Sequence, residues 1–232
     1  MPYNRPKTST HQPEPAILTR QMAGIGMNFA ADPDPQAPIE ETLVHASTLG
    51  MDHGDLRVLA VLTTWLRVHH AHINADRLVR AASRHPSERV RAHWSAVARW
   101  LVKDRRYARL AALYKGPTTD LLPVGTEFQL DRRGPDPRFA GSVLRVPAGT
   151  LRDRAADVIT PEVLVGRHAG YRNRVRMGPA WRADVWTVLE SDPDLSAAEA
   201  ARRAGCSFAT AWAVVRDFGV LRSAAEAKAV VP

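Results

Sequence analysis

Apolar residues recur at helical spacing along residues 195–218, and this pattern predicts two short helices joined by a tight turn. Ser196 and Glu199 have the spacing of a capping box, in which each side chain binds a free backbone N–H at the start of a helix. Gly205 is expected to end the first helix, because glycine adopts a positive φ without steric strain. Ser207 is expected to cap the second helix. The apolar positions of that helix are Ala211, Val214, Val215 and Phe218, and Gly219 stands at its predicted end.

Two short helices around a glycine turn form a helix-turn-helix. The stretch resembles bacterial helix-turn-helix transcription regulators and the three-helix DNA-binding domains of resolvase-like recombinases. This resemblance covers Pro179 to Gly219 and implies a third helix, predicted from Trp181 to Glu190, in front of the pair. The alternative is an ordinary helical hairpin in which the turn glycine serves only as a C-cap. The residues that carry the resemblance are Ala201, Gly205, Cys206, Ser207, Ala211 and Val214.

The resemblance implies that residues early in the second helix face the major groove of DNA. Base edges are read best by Arg, Lys, Asn and Gln. Arg216 is of that kind, Thr210 adds a hydroxyl, and Phe208 can contact a thymine methyl. The alternative is a protein-docking surface, because Trp and Phe are common anchors of protein interfaces. The implied positions are Ser207, Phe208, Ala209, Thr210, Trp212, Ala213 and Arg216.

A run of arginines without any acidic residue precedes the predicted three-helix unit, over residues 167–182. Gly170, Gly178 and Pro179 argue against one continuous helix there. Homeodomains and recombinase domains carry an arginine arm in this position, and the arm enters the minor groove. The alternative is a linker whose arginines pair with acidic helices nearby. The DNA contacts predicted for the arm are Arg167, Arg172, Arg174 and Arg176.

Further segments of helical periodicity lie between residues 39 and 116. The helix predicted at 55–70 is apolar nearly all round, so we expect it at the centre of a bundle. Residues 1–38 hold seven prolines and are predicted to be disordered, without regular structure. The predicted helices of this region cover 39–49, 55–70, 74–82, 87–101 and 107–114.

Positive charge is concentrated in residues 84–115. Nine basic residues stand there against two acidic ones, in a chain of formal net charge +8. The excess indicates a second nucleic-acid surface, and a solvated helix face is an equally favoured interpretation. The candidate residues are Arg99, Lys103, Arg105, Arg106 and Arg109.

Residues 117–160 change to a period of two, and the segments 126–130 and 142–146 are predicted to pair as a β-hairpin. Pro161 follows a threonine cap, which predicts a short helix to about His168. The fold class is therefore predicted as mainly α: an N-terminal helical domain, a small β-hairpin insertion and a C-terminal three-helix helix-turn-helix domain. The predicted boundaries are 1–38, 39–116, 117–160, 161–222 and a tail at 223–232.

The composition weighs against several classes of protein. The single cysteine, Cys206, excludes an internal disulfide and a cysteine-based zinc site. His69, His70 and His72 lack a carboxylate at ligand spacing, and no nucleophile stands in a recognisable elbow. We therefore expect no metal, no cofactor and no enzyme activity. The absence of a long apolar run or an apolar signal region predicts a cytoplasmic protein without membrane contact.

Taken together, these patterns predict a DNA-binding transcriptional regulator that uses the C-terminal helix-turn-helix and the arginine arm. Its expected partner is double-stranded DNA. By analogy, a regulator of this size suits the antitoxin or autorepressor of a small operon, with an acidic protein partner such as a cognate toxin. The oligomeric state stays open, and a dimer is one option. The first alternative is an adaptor that docks a protein through the Phe208 and Trp212 helix face and the basic helical domain. The second alternative is an enzyme that acts on nucleic acid.

Overall fold

The computed structural model describes residues 12–230, without the side chains of Glu226 and of residues 228–230. The described chain is mainly helical, as the periodicity predicts. Its α-helices are α1 (Pro15–Gly24), α2 (Ile39–Met51), α3 (Leu56–His69), α4 (Ala75–Ser83), α5 (Glu88–Trp100), α6 (Thr126–Arg133), α7 (Pro161–Arg167), α8 (Ala169–Met177), α9 (Trp181–Ser191), α10 (Ala197–Ala204) and α11 (Phe208–Val230). Two short strands are β1 (Thr119–Asp120) and β2 (Leu144–Arg145), and the 3₁₀ segments are His70–His72, Arg105–Leu113 and Ala155–Asp157.

The larger core is formed by α1 to α5 together with the segments that cover them. α3 lies at its centre, since Leu59, Leu62 and Trp65 are completely buried. α2 packs against α1, α3, α4 and α5. The central position predicted for the apolar helix at 55–70 is therefore confirmed.

The prediction that residues 1–38 lack regular structure is wrong for the part that the structure describes. α1 begins at Pro15, in the first helical turn, where the missing N–H of proline costs no hydrogen bond. The helix buries Leu18 and Met22 in the larger core, and the indole of Trp65 donates to the Ile25 carbonyl over 2.7 Å. The prolines flank the helix instead of interrupting it. Residues 1–11 lie outside the described range.

The predicted β-hairpin at 126–130 and 142–146 does not form. Residues 126–133 are the helix α6, and β1 pairs with β2 in parallel. Thr126 and Leu130 are four residues apart. This spacing fits both an alternating strand pattern and one turn of a helix, so the pattern was ambiguous. Phe128, which the hairpin would have placed on the same face, is 63% exposed. Arg145 of β2 forms ion pairs with Asp120 and Glu127 at the surface of this region.

The three C-terminal helices α9, α10 and α11 share a second core, which confirms the predicted three-helix unit. Alanines supply much of α10's share of this core, and their small side chains let the helices approach closely. The short helix predicted after Thr160 is also present, as α7. The buried residues of the second core are Val185, Leu189, Ala200, Ala201, Ala204, Ala211 and Val214.

His93 of α5 is completely buried in the larger core. Its ring lies 5.3 Å from the Trp94 ring and 6.2 Å from the Phe139 ring, and neither ring nitrogen has a hydrogen-bond partner in the described part of the chain. Burial lowers the pKa of His93 to about 4, because no neighbouring group stabilises the imidazolium form. The folded protein therefore keeps this side chain neutral.

Because the unfolded chain protonates His93 near pH 6.5 and the folded chain only near pH 4, acid should destabilise the fold through this residue. The contribution of His93 to the free energy of unfolding is fully present above pH 6.5 and is lost as the pH falls towards 4. The loss is about 1.4 kcal/mol per pH unit, or about 3 kcal/mol in all. A His93→Leu variant should lack this component. Urea unfolding of both proteins at about pH 7 and about pH 4.5 checks it, and an equal loss of stability in the two would contradict it.

Candidate nucleic-acid interface

The predicted turn between α10 and α11 has the expected geometry. Ser196 Oγ accepts from the Glu199 N–H over 3.2 Å, and Gly205 ends α10 with φ 72° and ψ 26°. The carboxylate of Glu199 binds Arg202 and Arg203, so the structure shows the serine half of the capping box. Ser207 Oγ accepts from the Thr210 N–H over 3.2 Å and caps the second helix. The two helices and this turn have the form of a helix-turn-helix.

The larger core supports the turn through Arg80 of α4. Its guanidinium donates to the Gly205 carbonyl and stacks 4.4 Å from the centre of the Trp181 ring. A Cβ on Gly205 would lie 2.9 Å from Nη2 of Arg80. Glycine is therefore favoured here by its positive φ, and the end of the Arg80 side chain would have to shift to make room for a Cβ.

α11 is longer than predicted, because Gly219 does not end it. Gly219 keeps helical geometry, and no neighbouring atom lies within 4 Å of the position of its Cβ. A glycine inside a helix costs only about 1 kcal/mol relative to alanine, and the alanine-rich sequence that follows favours helix. The helix therefore continues to Val230.

The positions predicted to face DNA lie on the surface of α11. Phe208 is 44% exposed and Trp212 is 52% exposed. The Arg216 guanidinium lies 5.5 Å from the centre of the Trp212 ring and donates to Asp217 over 3.0 Å. The hydroxyls of Ser207 and Thr210 lie 2.8 Å apart. Ala209 is exposed and Ala213 is half-buried.

The helix-turn-helix unit is not basic. Residues 179–222 contain five arginines and six carboxylates, which gives a net charge of −1. Ion pairs within the unit join these groups: Arg182 with Asp217, Arg202 and Arg203 with Glu199, Arg203 with Asp192, Arg216 with Asp217, and Arg222 with Asp194. Attraction to phosphates must therefore come largely from outside the three helices.

The arginine-arm prediction is wrong for Arg174. Most of the predicted arm is the helix α8, and the Arg174 side chain is only 3% exposed. Its guanidinium contacts both carboxylate oxygens of Glu40, at 2.6 and 2.9 Å, and Asp184 Oδ1 at 2.7 and 2.9 Å. Burial alone would lower the pKa of Arg174, but Asp184 and Glu40 together raise it above its usual value. Arg174 is a structural cation, as the linker alternative predicted.

The other arginines of the predicted arm remain nearer to solvent. Arg172 is half-buried and lies 3.5 Å from Glu190. Arg167 and Arg176 are exposed, and neither has an ion-pair partner among residues 12–230. Gly178, with φ 88°, separates α8 from α9. Two of the four predicted arm contacts are therefore available to a ligand without breaking an ion pair.

A polar network surrounds Arg174 and joins the two cores. Asn74 donates its backbone N–H to Glu40 over 2.8 Å and its amide to Asp184 over 2.9 Å. Arg77 binds Glu41 through Nε, at 2.9 and 3.0 Å. These groups come from α2, from α4 with its N-cap residue, from α8 and from α9. No sequence motif signals this network, because its members are far apart along the chain.

The second basic surface lies on α5 and the 3₁₀ segment Arg105–Leu113, which replaces the helix predicted at 107–114. Arg106 pairs with Asp104 at 2.6 Å, and Arg109 pairs with Asp76 at 2.7 Å. The side chains of Arg99, Lys103 and Arg105 are exposed and have no ion-pair partner among the described residues. The residues proposed for this surface thus divide into two paired and three unpaired cations.

The histidine cluster has a structural arrangement. His69 is buried, donates Nε2–H to the Ile159 carbonyl over 3.0 Å and accepts from the Tyr171 hydroxyl over 2.8 Å. Within residues 12–230, no group of three His, Cys, Asp or Glu side chains is placed to hold a metal ion. In the same range, no helix is both long and apolar enough to span a bilayer.

Comparison of the chain with protein-family models, with curated proteins and with solved structures finds no match. The resemblance to helix-turn-helix regulators therefore depends on the residues and geometry of the chain itself.

Replacing Arg174 by leucine should destabilise the protein strongly. Arg174→Leu leaves Glu40 and Asp184 buried without their main cation, at an expected cost of about 3–5 kcal/mol in the free energy of unfolding. The matched control is Arg172→Leu on the same helix, whose ion pair is partly solvated and should contribute less than about 1 kcal/mol. Urea unfolding measures both. Similar losses in the two variants would show that the Arg174 network does not hold the cores together.

Gly205→Ala and Gly219→Ala should change stability in opposite directions. At Gly205 the alanine meets an unfavourable positive φ and Arg80, so we expect a loss of more than about 1 kcal/mol. At Gly219, an exposed helical position, alanine should stabilise by about 0.5–1 kcal/mol. Thermal unfolding of the full chain checks the pair. If the Gly205→Ala protein is as stable as the parent, the turn does not depend on a glycine with positive φ at this position.

Proposed function

We propose that the chain is a helix-turn-helix protein that binds duplex DNA, with the first turns of α11 in the major groove. One observation carries the proposal: the turn at Gly205 is fixed in place by Arg80, while Phe208, Trp212 and Arg216 on the adjoining helix face are exposed. A rigid turn and an exposed N-terminal helix face are what major-groove binding requires.

The proposed contacts are few. Arg216 can bond to guanine if it leaves Asp217, Thr210 offers a hydroxyl, and Phe208 or Ala209 can pack on a thymine methyl. Within residues 12–230, Arg167 and Arg176 are the cations of the predicted arm that have no ion-pair partner. Hydroxyl groups and backbone N–H groups can donate to phosphates without adding charge. We therefore infer a shallow sequence preference and a weak dependence on salt.

The regulatory role is a further part of the proposal. In it, the chain acts in the cytoplasm as a transcriptional regulator of bacterial type, by binding and not by catalysis. An antitoxin or autorepressor would add an acidic protein partner such as a cognate toxin. Two copies on a palindromic operator would place their α11 helices about 34 Å apart, one turn of duplex.

A second candidate function is a protein-docking adaptor. The net charge of −1 over residues 179–222 and the exposure of Trp212 and Phe208 support it. Exposed aromatic side chains are more typical of interface anchors than of base-reading residues. In this alternative, α11 binds an apolar groove of a partner protein.

Binding of a fluorescent random duplex of about 20 base pairs, measured by anisotropy over a range of salt, tests the proposed function. We expect log Kd against log salt to have a slope of about 2, from Arg167 and Arg176, at roughly 0.9 per phosphate contact. Arg216→Ala should weaken the binding of a duplex that has been selected from the random pool for high affinity about ten-fold. The control Arg152→Ala, an exposed arginine outside the unit, should change little.

Two outcomes would count against DNA binding. The first is no duplex binding at low salt. The second is an equal effect of the Arg216 and Arg152 variants on the selected duplex. If Trp212→Ala instead costs a partner-protein complex about 2 kcal/mol or more, the adaptor function is favoured.

A further inference from the structure

Two adjoining clefts lie on the basic surface of the larger core. The first, of about 490 Å³, lies between α5, the 3₁₀ segment Arg105–Leu113 and the turn at 141–143, and is lined by Arg99 and Tyr114 among others. The second, of about 470 Å³, includes Trp100, Lys103 and Arg105. Val102 and Asp104 line both clefts, so the two adjoin. Both clefts are open to solvent, and their volumes lie in the range of ligand-binding clefts.

The charge of these clefts is strongly positive. Arg99, Lys103 and Arg105 have no ion-pair partner in the described part of the chain. Asp104 is the acidic residue of both linings, and a bidentate contact from Arg106 neutralises it, with oxygen–nitrogen distances of 2.6 to 3.2 Å. The hydrogen bonds from Arg106 hold the pKa of Asp104 below its usual range. A ligand in these clefts therefore meets uncompensated cations.

A glycine turn lies beside Arg99. Gly141 has φ 67°, and a Cβ at this position would lie 3.3 Å from Nη2 of Arg99. The turn is therefore in close contact with the guanidinium, which is the flexible end of an exposed side chain. Ser142 and Thr118 add hydroxyls to the same cleft. Among the described residues, Arg99 therefore lies beside polar groups and has no carboxylate partner.

Aromatic and apolar groups line the clefts next to these cations. Tyr114 belongs to the first cleft and Trp100 to the second, and both are half-buried. Cations that bind phosphates, beside aromatic rings on which bases stack, are the arrangement that binds single strands. The bases of a duplex are stacked on one another and cannot enter a concave cleft of this size. We propose that these two clefts form a binding groove for single-stranded nucleic acid, separate from the helix-turn-helix surface.

The test is the binding of a fluorescent oligothymidine of about 12 nucleotides to the full chain. Arg99→Glu with Arg105→Glu should weaken binding at least about ten-fold. It should also lower the salt slope by about 1.4, at roughly 0.7 per phosphate contact for single strands. The matched control is Arg20→Glu with Arg152→Glu, which changes the net charge equally at exposed positions outside the clefts. Circular dichroism confirms that both variants fold.

Photo-cross-linking of the same strand carrying 5-iododeoxyuridine needs no variant. Cross-links should map to residues 95–118, at Trp100 or Tyr114. Cross-links confined to residues 208–216 would overturn the proposal and place the strand on α11. Equal weakening of oligothymidine binding by the two double variants would also overturn the proposal. So would a duplex of the same sequence that binds more tightly than the single strand and depends equally on Arg99 and Arg105. Duplex binding through α11 is measured separately, so failure of one proposal is distinguishable from failure of the other.

Discussion

The contact of Arg174 with Glu40 and Asp184 fixes where the helix-turn-helix unit lies. Glu40 belongs to α2 of the larger core and Asp184 to α9 of the C-terminal unit, so one guanidinium joins both. Buried ions add little net stability compared with apolar groups of the same size, because desolvation offsets their attraction. Their geometry is strict, however, since a displaced guanidinium loses both carboxylates at once. This joint therefore specifies the orientation of the two cores more than it stabilises either of them.

The exposed helix end and the excess of positive charge lie in different parts of the chain. The helix-turn-helix supplies an exposed helix end but has a net charge of −1 over residues 179–222, whereas residues 84–115 carry an excess of seven positive charges. Long-range attraction of a nucleic acid depends on the charge, and fitting of a groove depends on the helix. In the proposals made above, the basic surface of the larger core therefore binds a single strand, and α11 binds the duplex with only weak electrostatic attraction.

Local signals in the sequence predicted local structure well. The caps at Ser196 and Ser207 have partners three residues away, and Gly205 ends α10 through its own positive φ, so α10 and the start of α11 could be predicted. The role of Arg174 could not, because Glu40 lies 134 residues away. Gly219 was predicted to end α11 as Gly205 ends α10. It does not, because Gly219 is not among the glycines with a positive φ. The two clefts were equally beyond prediction, because they form where the 3₁₀ segment and the turn at 141–143 pack on α5.

α4 contacts both candidate surfaces, namely the turn before α11 and the basic 3₁₀ segment Arg105–Leu113. Its Arg80 donates to the Gly205 carbonyl at the turn, and Asp76, one helical turn earlier, pairs with Arg109 of the 3₁₀ segment at 2.7 Å. Asn74, the N-cap of the same helix, binds Glu40 and Asp184 in the buried network. A single short helix thus contacts the turn, the basic segment and the joint between the cores. Because these contacts come from adjacent turns of one helix, α4 links both candidate surfaces to the buried joint between the cores.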